Sequence, residues 1–338
     1  MVKENRDIEQ DKKQILKIGL LTDEVFEKNY QQKCKENDEL LWAVIALADD
    51  YFNIKNDYIN KKEYALIRNR VSEDPLSFCY RYLLSSKNGI KAKLYKNFKV
   101  TSLKDIRNAA TLSEDVYKII SSVLRQDPRK QGCDEEIMIQ YLKTGFPFLS
   151  AQFPPKNGRG SKNIDSDGDI VSSYGAPIDT KSLDAILSYR IPNTTQTITF
   201  EASLKFIKAV DGGGAQDNQR NDLINHLKNS TKLSKNHYGL GLFAGEYFTE
   251  KRCSSISKTK GIDPNKAFSM HIKDFGTFCC NFIPKKVQEM CNIDDETKQY
   301  VSNYFSEIKV VYEDLAKTQQ AFETNNIQLN ATQTNNLW

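Results

Sequence analysis

One segment near the middle of the chain restricts the fold more than any other, because it alternates between two kinds of side chain. The segment is Thr197–Val210, which is rich in β-branched and aromatic residues. Its apolar series is Phe200, Ala202, Leu204 and Phe206. Its polar series is Glu201, Ser203 and Lys205. Since successive side chains of a strand point to opposite faces, we predict a strand with one face in the core and the other lining a polar cleft.

Three further strand-like segments and one helix accompany this strand. The additional strands are expected at Leu183–Tyr189, Tyr238–Phe248 and Phe268–Ile272. The helix, at about Asp217–Asn229, follows the alternating segment. The order strand, strand, helix, strand predicts an α/β fold in which a mixed central β-sheet is flanked by helices.

The sequence on either side of these strands is predicted to be mainly helical. Apolar residues recur at helical spacing over residues 1–130, and Ser113 has the character of a helix cap. The predicted elements outside the strands are a helix at 134–143, a long loop at 147–177, a charged helix at 294–322 and a loose tail at 325–338. We therefore divide the chain into a helical N-terminal region (1–130), a core (131–290) and a C-terminal helical extension (291–338).

The composition excludes several classes of protein. The chain has 338 residues with seven cysteines and three histidines, and it lacks a Cys-x-x-Cys pair, so a zinc site built from these residues is not expected. Its apolar runs are far shorter than the roughly 20 residues of a membrane-spanning helix. The polar N-terminus lacks the apolar stretch of a secretory signal, so we expect a cytoplasmic protein without a membrane partner. The net charge of +4 permits a polyanionic partner without requiring one.

Two acidic residues on neighbouring predicted strands are the candidate reaction centre. Asp184 stands near the start of one strand and Glu201 in the middle of the next, with sixteen residues between them. Adjacent strands can bring such carboxylates close together, where they would repel each other unless a cation lies between them. Mg²⁺ takes one or two carboxylates together with phosphate oxygens, so we predict that Asp184 and Glu201 bind this ion. A cationic side chain nearby would stabilise the charge of a phosphoryl-transfer transition state.

This pattern resembles a known family of nucleases. The spacing of Asp184 from Glu201, the run Phe200-Glu201-Ala202, and the glycine-rich stretch that continues to Gln219 are similar to PD-(D/E)xK nucleases, and among them to type II restriction endonucleases. The resemblance covers residues 180–230 only. It implies a restriction-endonuclease-like core within residues 131–290, Mg²⁺-dependent cleavage of double-stranded DNA at specific sites, a homodimer, and a cognate DNA methyltransferase in the same system.

The sequence departs from the family pattern at two positions. Leu183 stands where the family has proline, and Ser203 stands where it has a catalytic lysine. Serine carries no charge, so it does not replace the lysine chemically. Lys205 lies on the same face of the strand about 7 Å further along, and its long stem can bring the ammonium back toward the acids. Gln216, at the start of the next helix, is a second candidate for orienting water or phosphate.

Several further residues are candidates for metal or DNA contacts. Glu136 is an additional acid for the metal, although a helix-start acid that complements the helix dipole explains it equally simply. The lysine-rich segment 87–104 suits contact with DNA phosphates, the alternative being a solvated hairpin or loop. The candidate DNA-contacting residues are Lys91, Lys93, Lys96, Lys99, Asn218, Gln219, Lys251 and Arg252.

Two alternatives to a restriction enzyme remain open at this stage. The same chemistry would serve an anti-phage or repair nuclease with little sequence preference. A non-cleaving DNA-binding protein with a degenerate nuclease site would explain why Ser203 stands at the lysine position.

Overall fold

The fold was obtained as a computed structural model of the full chain. It describes residues 6–52, 61–71, 75–84, 89–99, 102–155, 160–172, 182–207, 214–245 and 247–335. The chain divides into two compact units, one formed by residues 1–25 together with 135–338 and the other by residues 26–134. The sequence analysis places its boundaries after residues 130 and 290 instead, and these remain a prediction.

Among the described residues of the N-terminal part, the regular elements are α-helices and one short 3-10 helix, Pro128–Gln131. Its helices are α1 (Ile8–Ile18), α2 (Asp23–Phe52), α3 (Lys61–Arg70), α4 (Pro75–Leu84), α5 (Ile90–Phe98), α6 (Leu103–Ala110), α7 (Glu114–Leu124) and α8 (Cys133–Thr144). Ser113 caps α7, since its side chain accepts a hydrogen bond from the backbone N–H of Val116. The lysine-rich segment contains helix α5, so the hairpin or loop considered for it is wrong.

A five-stranded mixed sheet forms the centre of the larger unit, as the sequence predicts. Its strands are β1 (Ser150–Gln152), β4 (Ala185–Arg190), β5 (Thr197–Phe206), β6 (His237–Ala244) and β7 (Ala267–His271). They are ordered β1-β4-β5-β6-β7. The pairs β1–β4 and β4–β5 are antiparallel, whereas β5–β6 and β6–β7 are parallel.

The loop predicted at 147–177 is wrong in part, because three short strands lie within it. One is β1, and the other two are β2 (Lys162–Ile164) and β3 (Ile170–Ser172), which pair as a separate antiparallel hairpin. The hairpin holds the segment that leads into β4, since the backbone N–H of Leu183 donates to the carbonyl of Lys162 over 2.6 Å. Strands of three residues are too short to show an alternation in sequence.

Helices cover both faces of the sheet. The helices after β5 are α9 (Gly214–Ser230), α10 (Glu250–Ser257), α11 (Phe275–Gln288) and α12 (Asp295–Asn335). The apolar face of β5 packs on α11, where the ring of Phe200 lies 6.0 Å from that of Phe275 and 5.7 Å from that of Phe282. Helix α9 packs on the opposite, polar face. The mixed sheet flanked by helices is therefore confirmed.

The C-terminal elements extend further than the sequence analysis expects. Helix α11, which begins at Phe275 and contains Pro284, precedes the C-terminal extension expected from residue 291. Helix α12 continues to Asn335, so the loose tail predicted from residue 325 is wrong for the described residues. Its start is fixed by Asp294, whose carboxylate accepts a hydrogen bond from the backbone N–H of Thr297 over 2.7 Å. None of the described helices is both long enough and apolar enough to cross a lipid bilayer.

Candidate active site

The β4–β5 hairpin brings the predicted site residues to one face of the sheet. In its antiparallel register Ala185 lies opposite Ala202 and Ile186 lies opposite Glu201. The pairing continues one residue beyond β4, because the backbone N–H of Asp184 donates to the carbonyl of Ala202 over 3.0 Å. Asp184 therefore lies opposite Ser203, and alternation places it on the same face as Glu201.

Asp184 is a buried carboxylate with three neighbours on β5. Its side chain is only 7% exposed. Oδ2 accepts hydrogen bonds from the backbone N–H of Leu204 (2.8 Å) and from the hydroxyl of Ser203 (3.3 Å). The ammonium of Lys205 lies 3.7 Å from the same oxygen. The N–H, hydroxyl and ammonium groups around Oδ2 are all hydrogen-bond donors, and a carboxylate oxygen accepts from each kind.

Glu201 is more deeply buried and has a different partner. Its side chain is 1% exposed, and Oε1 lies 3.0 Å from Nδ1 of His237. The other carboxylate oxygen, Oε2, is buried and has no hydrogen-bond partner among the described residues. Leaving such an oxygen unpaired costs about 1–3 kcal/mol. It is therefore the kind of atom that a cation or an ordered water would satisfy.

Helix α9 covers Glu201 from above. Nε2 of His226 lies 3.1 Å from the backbone carbonyl of Glu201. Burial lowers the pKa of His226 to about 4, so the imidazole is neutral at pH 7 and donates one N–H. The helix approaches closely because β6 has glycines beneath it: a Cβ at Gly241 would lie 2.9 Å from Leu223, and one at Gly239 would overlap Ser230. The polar face is thus a buried layer at Glu201, where the sequence analysis predicts a cleft.

The carboxylates of Asp184 and Glu201 point toward opposite ends of β5. Asp184 contacts Leu204 and Lys205, toward the end of the strand. Glu201 contacts His237, which pairs with Thr199 at the start of the strand. Among the described residues, no three His, Cys, Asp or Glu side chains are grouped so that they could hold a metal ion.

The residues nevertheless fit a magnesium ion in their chemistry. Both acids offer hard oxygen ligands, and one or two carboxylates suffice for Mg²⁺ when phosphate oxygens complete its coordination. The unpaired Oε2 of Glu201 is an available acceptor on the correct face. His237 contacts Oε1 of Glu201, so Oε2 is the oxygen of this acid that would bind the ion.

The remaining candidates lie on several elements. Gln216 is in the first turn of α9, and its side chain lies outside the described residues. On the same helix Asn218 is exposed, whereas the amide oxygen of Gln219 is buried and unpaired. Glu136 has an exposed side chain on α8.

The predicted DNA-contacting cations belong to both units. Lys91, Lys93 and Lys96 lie on α5 and Lys99 directly follows it, although the side chain of Lys91 lies outside the described residues. The ammonium of Lys93 donates to the carbonyls of Leu124 and Arg125, so it contributes to the packing of its own unit. Lys96 and Lys99 are exposed. Lys251 and Arg252 begin α10 in the other unit.

Two histidines near Glu201 were not found by sequence reasoning. His237 reaches the carboxylate only because β5 and β6 are parallel with Glu201 opposite Gly239. His226 reaches the backbone carbonyl of Glu201 only because α9 presents that face to the sheet. A strand–helix–strand connection predicts the parallel pairing, but the register that brings these residues together is not visible in the sequence.

Comparison of the chain with protein-family models, with curated proteins and with solved structures found no match. The comparisons thus assign no family and no fold relative, and the contacts of Asp184, Glu201 and Lys205 are the observations that bear on function.

Proposed function

We propose that this chain is a Mg²⁺-dependent endonuclease that hydrolyses double-stranded DNA at specific sites, in the manner of a type II restriction enzyme. The observation that carries the proposal is the position of Lys205, whose ammonium lies 3.7 Å from Asp184. Ser203 leaves the usual lysine position without a charge, and the contact of Lys205 with Asp184 supports its acting in place of that lysine. An acid, a cation and a second acid then share one face of one hairpin.

Each residue has a separate role in the proposed reaction. Asp184 and Glu201 would hold the metal ion, which when bound polarises the scissile phosphate and lowers the pKa of a coordinated water. Lys205 stabilises the negative charge that develops on the phosphoryl oxygens. Ser203 donates a hydrogen bond to Asp184 and so orients that carboxylate. His237 holds the Glu201 carboxylate in place through its contact with Oε1.

The proposed partners follow from the proposed reaction. The substrate is double-stranded DNA, and a homodimer would cut both strands of a symmetric site. A cognate methyltransferase would protect the host DNA, and both proteins would act in the cytoplasm. The DNA backbone would be contacted by the exposed cations near α5 and at the start of α10.

A second candidate, a non-cleaving DNA-binding protein, is favoured by the burial of the two acids. Glu201 is 1% exposed, and both carboxylates already contact a side chain of this chain that can carry positive charge. Buried and paired acids of this kind are also expected of a nuclease fold that has lost catalysis. The two candidates differ in Mg²⁺-dependent cleavage.

Plasmid digestion tests the proposal. We expect discrete DNA fragments with Mg²⁺ and none with EDTA, whereas Glu201→Gln and Asp184→Asn should lose cleavage while retaining DNA binding. Asp167→Asn removes an exposed acid from the turn between β2 and β3 and serves as the matched control. A smear would indicate a nuclease of low specificity. Binding without cleavage by the unchanged chain would support the non-cleaving candidate, and the absence of both would refute all three functions.

A further inference from the structure

One buried side-chain oxygen of helix α9 has no hydrogen-bond partner within the described part of the protein. The side-chain oxygen of Gln219 is shielded from solvent and makes no hydrogen bond. Native proteins pair the great majority of such atoms, so an unpaired one calls for an explanation in terms of a missing water, ion or substrate. Among the described residues of β5 and α9, the only other buried carboxylate or amide oxygen without a hydrogen-bond partner is Oε2 of Glu201.

The helical phase of α9 places Gln219 on the face that covers the sheet. Residues 219, 223, 226 and 230 are spaced by four, three and four positions, which puts them on one stripe of the helix. Three of them face the sheet directly. Leu223 and Ser230 pack over Gly241 and Gly239. The ring of His226 contacts the backbone carbonyl of Glu201. Gln219 continues this stripe by one more turn.

That additional turn carries Gln219 toward Lys205. Ser230, the last residue of α9, lies over Gly239, and Leu223, two turns earlier in the helix, lies over Gly241. Earlier residues of the helix therefore lie nearer the C-terminal end of β6. One turn before Leu223 is about 6 Å further in that direction. Phe243 occupies the corresponding level of β6, and it is paired with Lys205 on β5. Gln219 therefore lies one helical turn beyond Leu223, toward the end of β5 at which Lys205 stands.

We propose that Gln219 is a catalytic residue of the proposed nuclease and that its amide oxygen accepts a hydrogen bond from the attacking water. The inference rests on the proposed function. An amide oxygen accepts but does not take a proton, so Gln219 orients the water, and the proton leaves to solvent or to a phosphate oxygen. This role differs from the DNA contact expected for Gln219 from the sequence. It also replaces Gln216, the residue to which the sequence analysis assigns the orientation of water.

A pair of measurements on Gln219→Leu separates this role from a structural one. Leucine has a similar volume and no buried acceptor to desolvate, so the thermal midpoint of this variant should equal or exceed that of the unchanged chain. The single-turnover cleavage rate should fall about 100-fold, the size expected for loss of a group that positions the reacting atoms. The Kd for duplex DNA in EDTA should change less than threefold.

Two control variants complete the experiment. Asn225→Leu removes an exposed amide from the same helix and should leave the cleavage rate unchanged. Gln219→Glu keeps an acceptor in place and should retain more activity than Gln219→Leu. Should Gln219→Leu melt at a lower temperature and cleave at the normal rate, Gln219 is a packing residue and the inference is wrong. If the unchanged chain binds DNA but does not cleave it, the proposed function fails first and this inference with it.

Discussion

At the scale of single residues, alternation in one strand predicted most of the candidate site. The period of two placed Glu201, Ser203 and Lys205 on one face, and the antiparallel register puts Asp184 on that face as well. The sequence also allowed the stem of Lys205 to return toward Asp184, where the ammonium lies in the structure. It could not show the contact of His237 with Glu201, because that contact depends on how two strands separated by a helix align.

The position of the charge on β5 leads to a prediction about Lys205. Lys205→Met should lower the single-turnover cleavage rate by roughly 100-fold or more, because one preorganised group at a developing charge contributes about that factor. DNA binding in EDTA should remain close to that of the unchanged chain. Adding Ser203→Lys to Lys205→Met returns an ammonium to the family's position and should restore part of the rate. An unchanged rate in the single variant would remove Lys205 from the mechanism.

At the scale of secondary-structure elements, length decided what could be predicted. Strands β5 and β6 and helix α9 were found because each is long enough for its period to be visible. Strands β1, β2 and β3 have three residues each and were missed. Helix α12 was predicted too short because its end is rich in Asn, Gln and Thr, although no Gly or Pro interrupts it. Gln is a good helix former, and Asn and Thr cost less in a helix interior than Gly or Pro do.

The close contact between α9 and β6 predicts a steric cost at Gly239. Gly239→Ala would place a methyl group against the side chain of Ser230 and should destabilise the protein by about 2 kcal/mol, the usual cost of overpacking. Chemical denaturation would measure the change in unfolding free energy. Ser230→Gly removes the opposing Cβ, so the double variant should be more stable than Gly239→Ala alone. Additive losses in the two variants would contradict the predicted contact.

The same helix gives the protein a pH-dependent stability. Burial lowers the pKa of His226 to about 4 in the folded protein, whereas the unfolded value is 6.5. The unfolded chain therefore binds a proton that the folded one does not, and stability falls as the pH falls from 6.5 toward 4. At pH 5 the resulting loss in the free energy of unfolding is about 2 kcal/mol.

Variants of His226 and His271 test this linkage. Thermal midpoints at pH 7 and pH 5 should differ less for His226→Gln than for the unchanged chain, because glutamine does not titrate. The pKa of His271 is also lowered to about 4 by burial, so His271→Gln should remove a separate part of the pH dependence. Equal differences in all three proteins would show that other groups cause the acid sensitivity.

At the scale of the whole molecule, the charge is distributed over two compact units. The net charge of +4 is small, so any attraction for DNA depends on where the cations lie. Helix α5 and its lysines belong to the unit of residues 26–134, and helix α10 belongs to the other. The sequence located both groups of cations. It could not show that Arg252 is held in place, with its guanidinium 4.2 Å from the ring centre of Tyr247 and donating to the Tyr247 carbonyl.

This arrangement predicts how DNA binding responds to salt. No carboxylate among the described residues pairs with Arg252, so its charge is available to a phosphate. Arg252→Gln should reduce the slope of log K against log salt concentration by about 0.9, the value for one phosphate contact. Arg190→Gln alters an exposed arginine at the end of β4 that is far from Asp184, and this variant should leave the slope unchanged. Fluorescence anisotropy in EDTA measures the DNA affinity of each variant at several salt concentrations. If Arg252→Gln has the same slope as the unchanged chain, Arg252 does not contact a phosphate.

The glycines of β6 have a consequence for how water reaches the acids. Gly239 and Gly241 lack the Cβ that any other residue would have at these positions. Side chains of helix α9 occupy the space that those Cβ atoms would need. The access of water to the Glu201 carboxylate consequently depends on the distance between the backbone of β6 and helix α9. No side chain of β6 stands between them at Gly239 and Gly241. Small changes in that separation would alter the local dielectric around the acid, and with it the strength of every electrostatic interaction that the acid makes.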